Sequence, residues 1–323
     1  MQSDMASRSP AVGIDEQLGR RHSGDAEPPV YTGLSVRERV AAYIALTKPR
    51  IIELLLVTTV PSMVVAAKGW PSTALVLWTL LGGTLAAGGA NAINCYVDRD
   101  IDGIMPRTRR RPLPSHRVAP RSALVFGTVL GAVSFLQMWT TVNALAAALA
   151  LAGLLFYVFV YTIGLKRTTP QNIVIGGAAG AVPALVGWAA VTGTLELPAL
   201  ALFAIIFYWT PPHFWALALR YERDYAAAGV PMMPVIYGWE ETTKHILLYS
   251  LLLLAMCLAF FSVGRMGMLY LGSALVLNGA FIYLAIRLWR RPEPRVAWDL
   301  FRFSIYYLAL LFVAAAADQF IRI

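Results

Sequence analysis

From about residue 48 onward the chain returns repeatedly to apolar runs of about 20 residues. That is the length an α-helix needs to cross the ~30 Å hydrocarbon core of a bilayer. Nine such runs can be marked, near 48–67, 74–97, 122–140, 143–163, 172–192, 199–219, 245–263, 268–289 and 303–320. The weakest division is at Thr140–Asn143, where a short polar break separates two runs. Composition agrees: 58% of residues are hydrophobic and only 14% are charged, far from a soluble domain. The fold class expected is all-α integral membrane, with about nine transmembrane helices in one domain over residues 39–323. Residues 1–38 are polar and poor in large apolar side chains, and read as a disordered tail. The tail has no apolar core of a secretory signal, and Asp4, Asp15, Glu16, Asp25 and Glu27 are unlike an organelle transit peptide.

Basic residues test the span count. Arg37, Arg39, Lys48 and Arg50 precede the first run, and Arg107, Arg109, Arg110, Arg111 and Arg117 fall in the next loop on that side. Lys166, Arg167, Arg220, Arg223, Lys244, Arg287, Arg290, Arg291, Arg295 and Arg302 continue the series, whereas the opposite loops hold only Lys68 and Arg265. This asymmetry places the N-terminus in the cytoplasm and the C-terminus outside. The net charge of +9 is therefore topological, and no nucleic-acid partner is expected. Cys95 and Cys257 lie in apolar runs without a Cys/His cluster, so neither a disulfide framework nor a zinc site is indicated.

Chemistry concentrates between Asn94 and Arg111, N-C-Y-V-D-R-D-I-D-G-I-M-P-R-T-R-R-R. Asn94, Asp98 and Asp102 are spaced i, i+4, i+8. Each step on a helix turns about 40° and rises about 6 Å, so the three line one face, with Asp100 roughly opposite. Carboxylates are costly in a membrane, about 2.5–3.5 kcal/mol each at the bilayer centre and less near the interface. A hard cation such as Mg²⁺ would offset that cost, and it usually also takes substrate phosphates, which the downstream arginines suit. The plainer alternative is that the acids pair with neighbouring arginines in a loop; Asn94, an oxygen ligand on the same face, serves no topological purpose.

Two further segments join this end of the bundle. The run near 199–219 leads into P-P-H-F-W-A-L-A-L-R-Y-E-R-D, where Arg220 and Asp224 are i, i+4 and His213 lies two turns back, about 10 Å deeper. Pro211 and Pro212 weaken the helix ladder beside His213, which favours a cavity role over a hydrogen-bonded core histidine. His22, His116 and His245 read as solvated. Lys166 and Arg167 form the third basic loop, followed by Gly176, Gly177, Gly180 and Pro183. Those small residues suit close helix packing, or a kink that leaves room for a flat ligand. Loops 99–121 and 220–244, four spans apart, echo one another weakly in acids, Pro and Gly, as a duplicated four-helix unit would.

Carboxylates for a metal, Lys/Arg for phosphates and an apolar interior fit a prenyl diphosphate. Departure of diphosphate would leave an allylic cation that needs a dry cavity with aromatic faces. Tyr96, Tyr157, Tyr161, Phe207, Tyr208, Trp209 and Trp215 are the aromatic candidates. N-C-Y-V-D-R-D-I-D followed by R-T-R-R-R-P-L-P resembles the first Asp-rich motif of the UbiA superfamily of membrane prenyltransferases. Within it, T-K-P-R at 47–50, Y-T-x-x-L-K-R-x-T from Tyr161, Q-N-I-V-I-G-G from Gln171, W-x-x-P-H-F-W around His213 and D-Y-x-x-A-G-x-P-M-x-P from Asp224 resemble the heme-farnesylating branch. These matches extend from about 47 to 238.

The resemblance implies a helical bundle around a central cavity in the bacterial inner (plasma) membrane. It implies Mg²⁺ as cofactor, farnesyl diphosphate and protoheme IX as substrates, and conversion of heme B to heme O by transfer of farnesyl to a vinyl group with addition of water. Asn94, Asp98 and Asp102 would hold Mg²⁺–diphosphate, with Asp224 as a further acid. Arg107, Arg111, Lys166, Arg167 and Arg220 would bind diphosphate or heme propionates, and His213 would meet the heme. The lipid bilayer is a partner in any case, and a heme-modifying enzyme is a candidate one. One departure stands out: the second motif, commonly D-x-x-x-D, reads R-Y-E-R-D here, so Arg220 replaces the first acid and only Asp224 matches. The nearest alternative is a prenyltransferase using an aromatic or quinone-precursor acceptor. The alternative from another class is a cation-coupled transporter, which would put its acids near the midplane on broken helices.

Overall fold

The structure, a computed structural model, describes residues 33–321. Among the described residues every regular element is helical. The polar tail expected over residues 1–38 lies, up to residue 32, outside the described residues. The first helix, α1 (Val36–Thr47), starts inside the remainder of that segment, closed by a reciprocal capping box between Ser35 and Glu38. It ends at Lys48, whose φ of 54° is left-handed, and Pro49 opens α2 (Pro49–Ala67). Proline has no N–H to continue the α1 ladder, and its fixed φ suits a helix start.

The spans follow in the expected order: α3 (Thr73–Val97), the short α4 (Arg99–Ile104), α5 (Pro120–Thr141), and α6 (Ala144–Leu155), which runs on into a π-helical segment, Phe156–Leu165. Next come α7 (Asn172–Thr192), α8 (Leu197–Arg220), the short α9 (Glu222–Ala227), α10 (Met233–Val263), α11 (Met268–Arg290) and α12 (Pro294–Ile321). Eight helical stretches among the described residues are long and apolar enough to cross a membrane, and the bent pair α1–α2 makes up to nine. The chain is a multi-span membrane protein.

The weak division near Thr140 is a true break. Asn143 caps α6 by accepting from Ala146 N at 2.8 Å and ties it to α7 by donating to Ala189 O at 2.8 Å. Two helices begin earlier than their apolar runs. α10 starts at Met233 rather than near 245, with non-helical backbone at Gly238 (φ 74°, ψ −178°). α12 starts at Pro294 rather than near 303. Their added turns carry Glu240, Glu241 and Lys244 in one case and Arg295, Asp299 and Arg302 in the other, so hydropathy alone could not include them.

Strict alternation of the spans brings segments 98–119, 166–171, 221–232 and 291–293 to one end of the bundle. α3 and α5 cross closely because both carry glycine at the crossing: a Cβ on Gly89 would stand 2.6 Å from Gly127 O, and one on Gly127 2.8 Å from Gly89 O. Between the helices lies a cavity of about 320 Å³, lined mainly from α2, α3, α6, the π segment, α7 and α8.

Candidate functional site

α3 stops at Val97 and α4 begins at Arg99, with Asp98 as the joint (φ −87°, ψ 4°). Two bonds nevertheless carry the helical register across it, Asp98 N to Asn94 O at 2.9 Å and Asp102 N to Asp98 O at 2.8 Å. The face read from the i, i+4, i+8 spacing therefore survives the break. Asn94, Asp98 and Asp102 are all buried, at the end of the span rather than its middle, which is not where a transporter's midplane site would put them.

Each member of this face is engaged. Asn94 donates to Asp98 Oδ2 at 2.8 Å and to Thr162 Oγ1 at 3.1 Å, and its Oδ1 accepts from Lys48 Nζ at 2.6 Å. Lys166 Nζ donates to Asp98 Oδ2. Arg111 Nη1 donates to both oxygens of Asp102, 2.9 Å to Oδ1 and 2.8 Å to Oδ2. Arg167 chelates Asp100, 2.7 Å to each oxygen, and stands 3.6 Å from Asp98 Oδ1. The Arg167 fork holds the Asp100 carboxyl at a pKa of about 2, below the ordinary range. Pairing with arginines, the plainer alternative, thus accounts for Asp100 and Asp102. It leaves Asp98 Oδ1 buried without a hydrogen-bond partner, an unusual cost for a carboxylate oxygen.

That oxygen tests the fit of a metal. Among the described residues no three His, Cys, Asp or Glu side chains cluster tightly enough to hold an ion alone. Mg²⁺ does not need such a cage, since one or two carboxylates plus substrate phosphates and waters are its usual ligands. Two buried carboxylates, one of them with an oxygen that makes no hydrogen bond, and an amide oxygen fit that donor set.

The π segment supplies the opposite wall. Lys166 N bonds Tyr161 O, five residues back, at 2.8 Å, and Thr162 Oγ1 donates to Tyr157 O at 2.8 Å. Tyr157 and Tyr161 line the cavity with ring centroids 5.4 Å apart. A Cβ at Gly176 would overlap the Tyr161 ring, so glycine there is what lets the ring lie flat. Gly177 packs on Thr210, as the close-packing reading expects, whereas a Cβ at Gly180, on the cavity wall, would meet nothing within 4 Å. Of the aromatic candidates, Tyr157, Tyr161 and Trp209 line the cavity, joined by Phe214; Tyr96, Phe207, Tyr208 and Trp215 do not.

The second mouth differs from expectation. α8 ends at Arg220 and α9 starts at Glu222, with Tyr221 as the joint between Arg220 and Asp224 (φ −110°, ψ 23°). The two make no ion pair. The Arg220 guanidinium lies 4.5 Å over the Trp298 ring, and no hydrogen bond or ion pair reaches the Asp224 carboxylate among the described residues. What the second mouth offers the first is tyrosine: Arg107 donates to Tyr225 Oη at 2.7 Å and sits over the Tyr225 and Tyr221 rings at 4.9 and 5.3 Å. Spacing gave no sign of this tie, which spans 118 residues.

His213 is not among the cavity-lining residues. Its ring is stacked on Trp209 (4.3 Å, 19°) and tilted on Phe301 (4.9 Å, 30°), and its Nδ1 is 2.6 Å from Ser304 Oγ. Lys48, Thr162, Tyr221, Tyr225, Phe214, Phe301 and Ser304 were not singled out as site residues by sequence reasoning. Lys48, Thr162, Phe214, Tyr221 and Tyr225 do fall inside the motifs T-K-P-R, Y-T-x-x-L-K-R-x-T, W-x-x-P-H-F-W, R-Y-E-R-D and D-Y-x-x-A-G, whereas Phe301 and Ser304 fall in none.

A helical membrane bundle with an acid-and-base mouth over an aromatic-lined cavity defines a class, and the comparisons give it a name: residues 55–312 match the UbiA prenyltransferase family, and the chain belongs to it. Relatives named protoheme IX farnesyltransferase include one from Parafrankia sp. (strain EAN1pec), 54% identical over 283 residues that cover 87% of this chain and 90% of that one. One from Frankia alni is 54% identical, covering 86% and 97%. One from Roseiflexus sp. (strain RS-1) is 54% identical over 86% of this chain but 52% of its own length. The chain thus spans about half the length of some relatives and nearly all of others. Among solved structures, a digeranylgeranylglyceryl phosphate synthase superposes with a TM-score of 0.73 at 19% identity, over 87% of this chain and 99% of that one. A UbiA homolog from Archaeoglobus fulgidus, bound to DMAPP and Mg²⁺, gives 0.58 at 17%, over 84% and 98%. These structural likenesses show a shared fold.

Proposed function

We propose that this chain is a membrane farnesyltransferase acting on protoheme IX. A new C–C bond joins C1 of farnesyl diphosphate to a heme vinyl group, the C1–O bond breaks to release diphosphate, and water adds to the vinyl carbon next to the porphyrin with loss of a proton. The observation that carries prenyl transfer is the buried Asn94–Asp98–Asp102 face, ringed by Lys48, Lys166 and Arg111. The acceptor is drawn from the relatives' names.

Asp98 and Asp102, with Asn94, would hold Mg²⁺, which when bound supplies positive charge for the departing diphosphate. Lys166 and Arg111 now spend their charge on those carboxylates. With diphosphate at the mouth they exchange partners to phosphate oxygens, and Arg107 and Arg167 stand beside them. Arg220 and Asp224 serve the second mouth, with Arg220 toward a propionate. Tyr157, Tyr161, Trp209 and Phe214 present aromatic faces where cationic character develops. At about 320 Å³ the cavity is near the small end of ligand sites, roughly 300–1,000 Å³. It suits the isoprenoid chain and leaves the porphyrin to approach from the α8–α12 side. The mouth faces the cytoplasm of a bacterial inner membrane, with the N-terminus inside and the C-terminus outside, and a heme-modifying enzyme is the class of partner that would take the product.

The test is to incubate membranes containing the chain with protoheme, farnesyl diphosphate and Mg²⁺, then weigh the extracted hemes by mass spectrometry. The expected product has gained a farnesyl group plus the elements of water. Unchanged heme, with prenylation of an aromatic acceptor instead, overturns the acceptor assignment.

A further inference from the structure

Four rings, two from α12 and then two from α8, run from the mouth to the cavity. Arg220 caps Trp298; Trp298 stacks on Phe301 (5.0 Å, 26°); Phe301 lies against His213; His213 stacks on Trp209, a cavity wall. Ser304 anchors this column twice. Its backbone carbonyl accepts from Trp209 Nε1 at 2.9 Å, and its hydroxyl is 2.6 Å from His213 Nδ1.

The hydroxyl has one proton, and it is committed: Ser304 Oγ donates to Phe301 O at 2.6 Å. An oxygen that has given away its only proton can meet Nδ1 at that distance only by accepting. The His213 proton is therefore on Nδ1, and Nε2 carries a free lone pair. Both ring faces are covered and the Nδ1 edge is taken, so the Nε2 edge is the side of this half-buried ring left to a ligand. A histidine whose far nitrogen is fixed by an oxygen acceptor is the usual arrangement of a metal-ligating imidazole.

We infer that Ser304 is a positioning residue that fixes the His213 tautomer, so that His213 Nε2 becomes an axial ligand to the iron of the porphyrin substrate, with the Trp298–Phe301 column as the porphyrin's wall. This rests on the heme acceptor proposed above. Arg220, exposed over Trp298, is placed for a carboxylate at the porphyrin edge.

The experiment is a titration of the full-length chain in lipid nanodiscs with ferric protoheme, followed by Soret absorption and electron paramagnetic resonance. Wild type should give a nitrogen-ligated spectrum. His213→Ala should lose that signature and regain it with added imidazole. Ser304→Ala should weaken heme affinity roughly 10- to 100-fold, the usual cost of losing an outer partner of a ligating histidine, and Ser304→Thr, which keeps the hydroxyl, should restore it. A nitrogen-ligated spectrum unchanged in His213→Ala, or equal affinity in Ser304→Ala and wild type, overturns the inference even if heme is farnesylated. A chain that binds no heme while prenylating another acceptor overturns the acceptor assignment itself.

Discussion

The two mouths of the bundle are built on the same joint but carry different side chains on it, carboxylates in one and phenols in the other. In each, a long span ends at a single non-helical residue and a six-residue helix follows: α3, Asp98, α4 in one, and α8, Tyr221, α9 in the other. In each, the backbone bond four residues across the joint is kept, Asp102 N to Asp98 O at 2.8 Å and Tyr225 N to Tyr221 O at 3.1 Å. Counted from the joint, Asp98 and Asp102 correspond to Tyr221 and Tyr225. The first pair gathers Lys166 and Arg111, and the second gathers Arg107. Both loops of the weak echo, 99–121 and 220–244, thus begin with the same backbone device. On one side it carries the carboxylates proposed to hold a metal–diphosphate, while on the other its phenols tie the two loops together.

Breaking the acidic mouth should have the largest effect. Asp98→Ala is expected to cut turnover roughly 10²–10³-fold or more, the scale of losing a group that stabilises developing charge, with membrane insertion intact; kinetics on membranes normalised for protein check it. Arg111→Ala comes next, because it strands Asp102, whose side chain is 1% exposed against 29% for Arg111. Breaking a fully buried pair costs roughly 3–5 kcal/mol, so about 2–3 kcal/mol is expected here, read as a lowered melting temperature in nanodiscs. At the tyrosine mouth, Tyr225→Phe removes one charge-assisted bond to Arg107 and should cost about 1.5–3 kcal/mol at most, seen as a raised KM for farnesyl diphosphate with kcat largely kept.

The smallest effect belongs to Asp100, whose side chain is 60% exposed. Its pKa is depressed to about 2, so the stability it lends is present above the unfolded carboxylate value of about 3.9 and is lost as pH falls toward 2. Asp100→Asn should leave activity near wild type and abolish only this acid-side slope in thermal stability.

The i, i+4, i+8 face and the span order were legible because each follows from a local period that the structure keeps. Arg220 and Asp224 have the same i, i+4 spacing, yet Arg220 turns to the Trp298 ring of α12 instead, and nothing in R-Y-E-R-D announces that partner or the joint at Tyr221. The π segment was illegible for a related reason: Phe156–Leu165 is as apolar as an α-helix and differs only in which carbonyl each N–H meets. Lys48 on Asn94, Arg107 on Tyr225 and Ser304 on His213 join residues 46, 118 and 91 apart. Such ties are set by helix packing, which a single sequence does not display.

The measurement that bears most directly on this account is farnesyl diphosphate binding to the intact chain in nanodiscs, with and without Mg²⁺, for wild type, Asp98→Ala and Tyr225→Phe. The account expects Mg²⁺ to tighten binding in wild type and Tyr225→Phe but not in Asp98→Ala. Mg²⁺-dependent binding retained by Asp98→Ala and lost in Tyr225→Phe would contradict it.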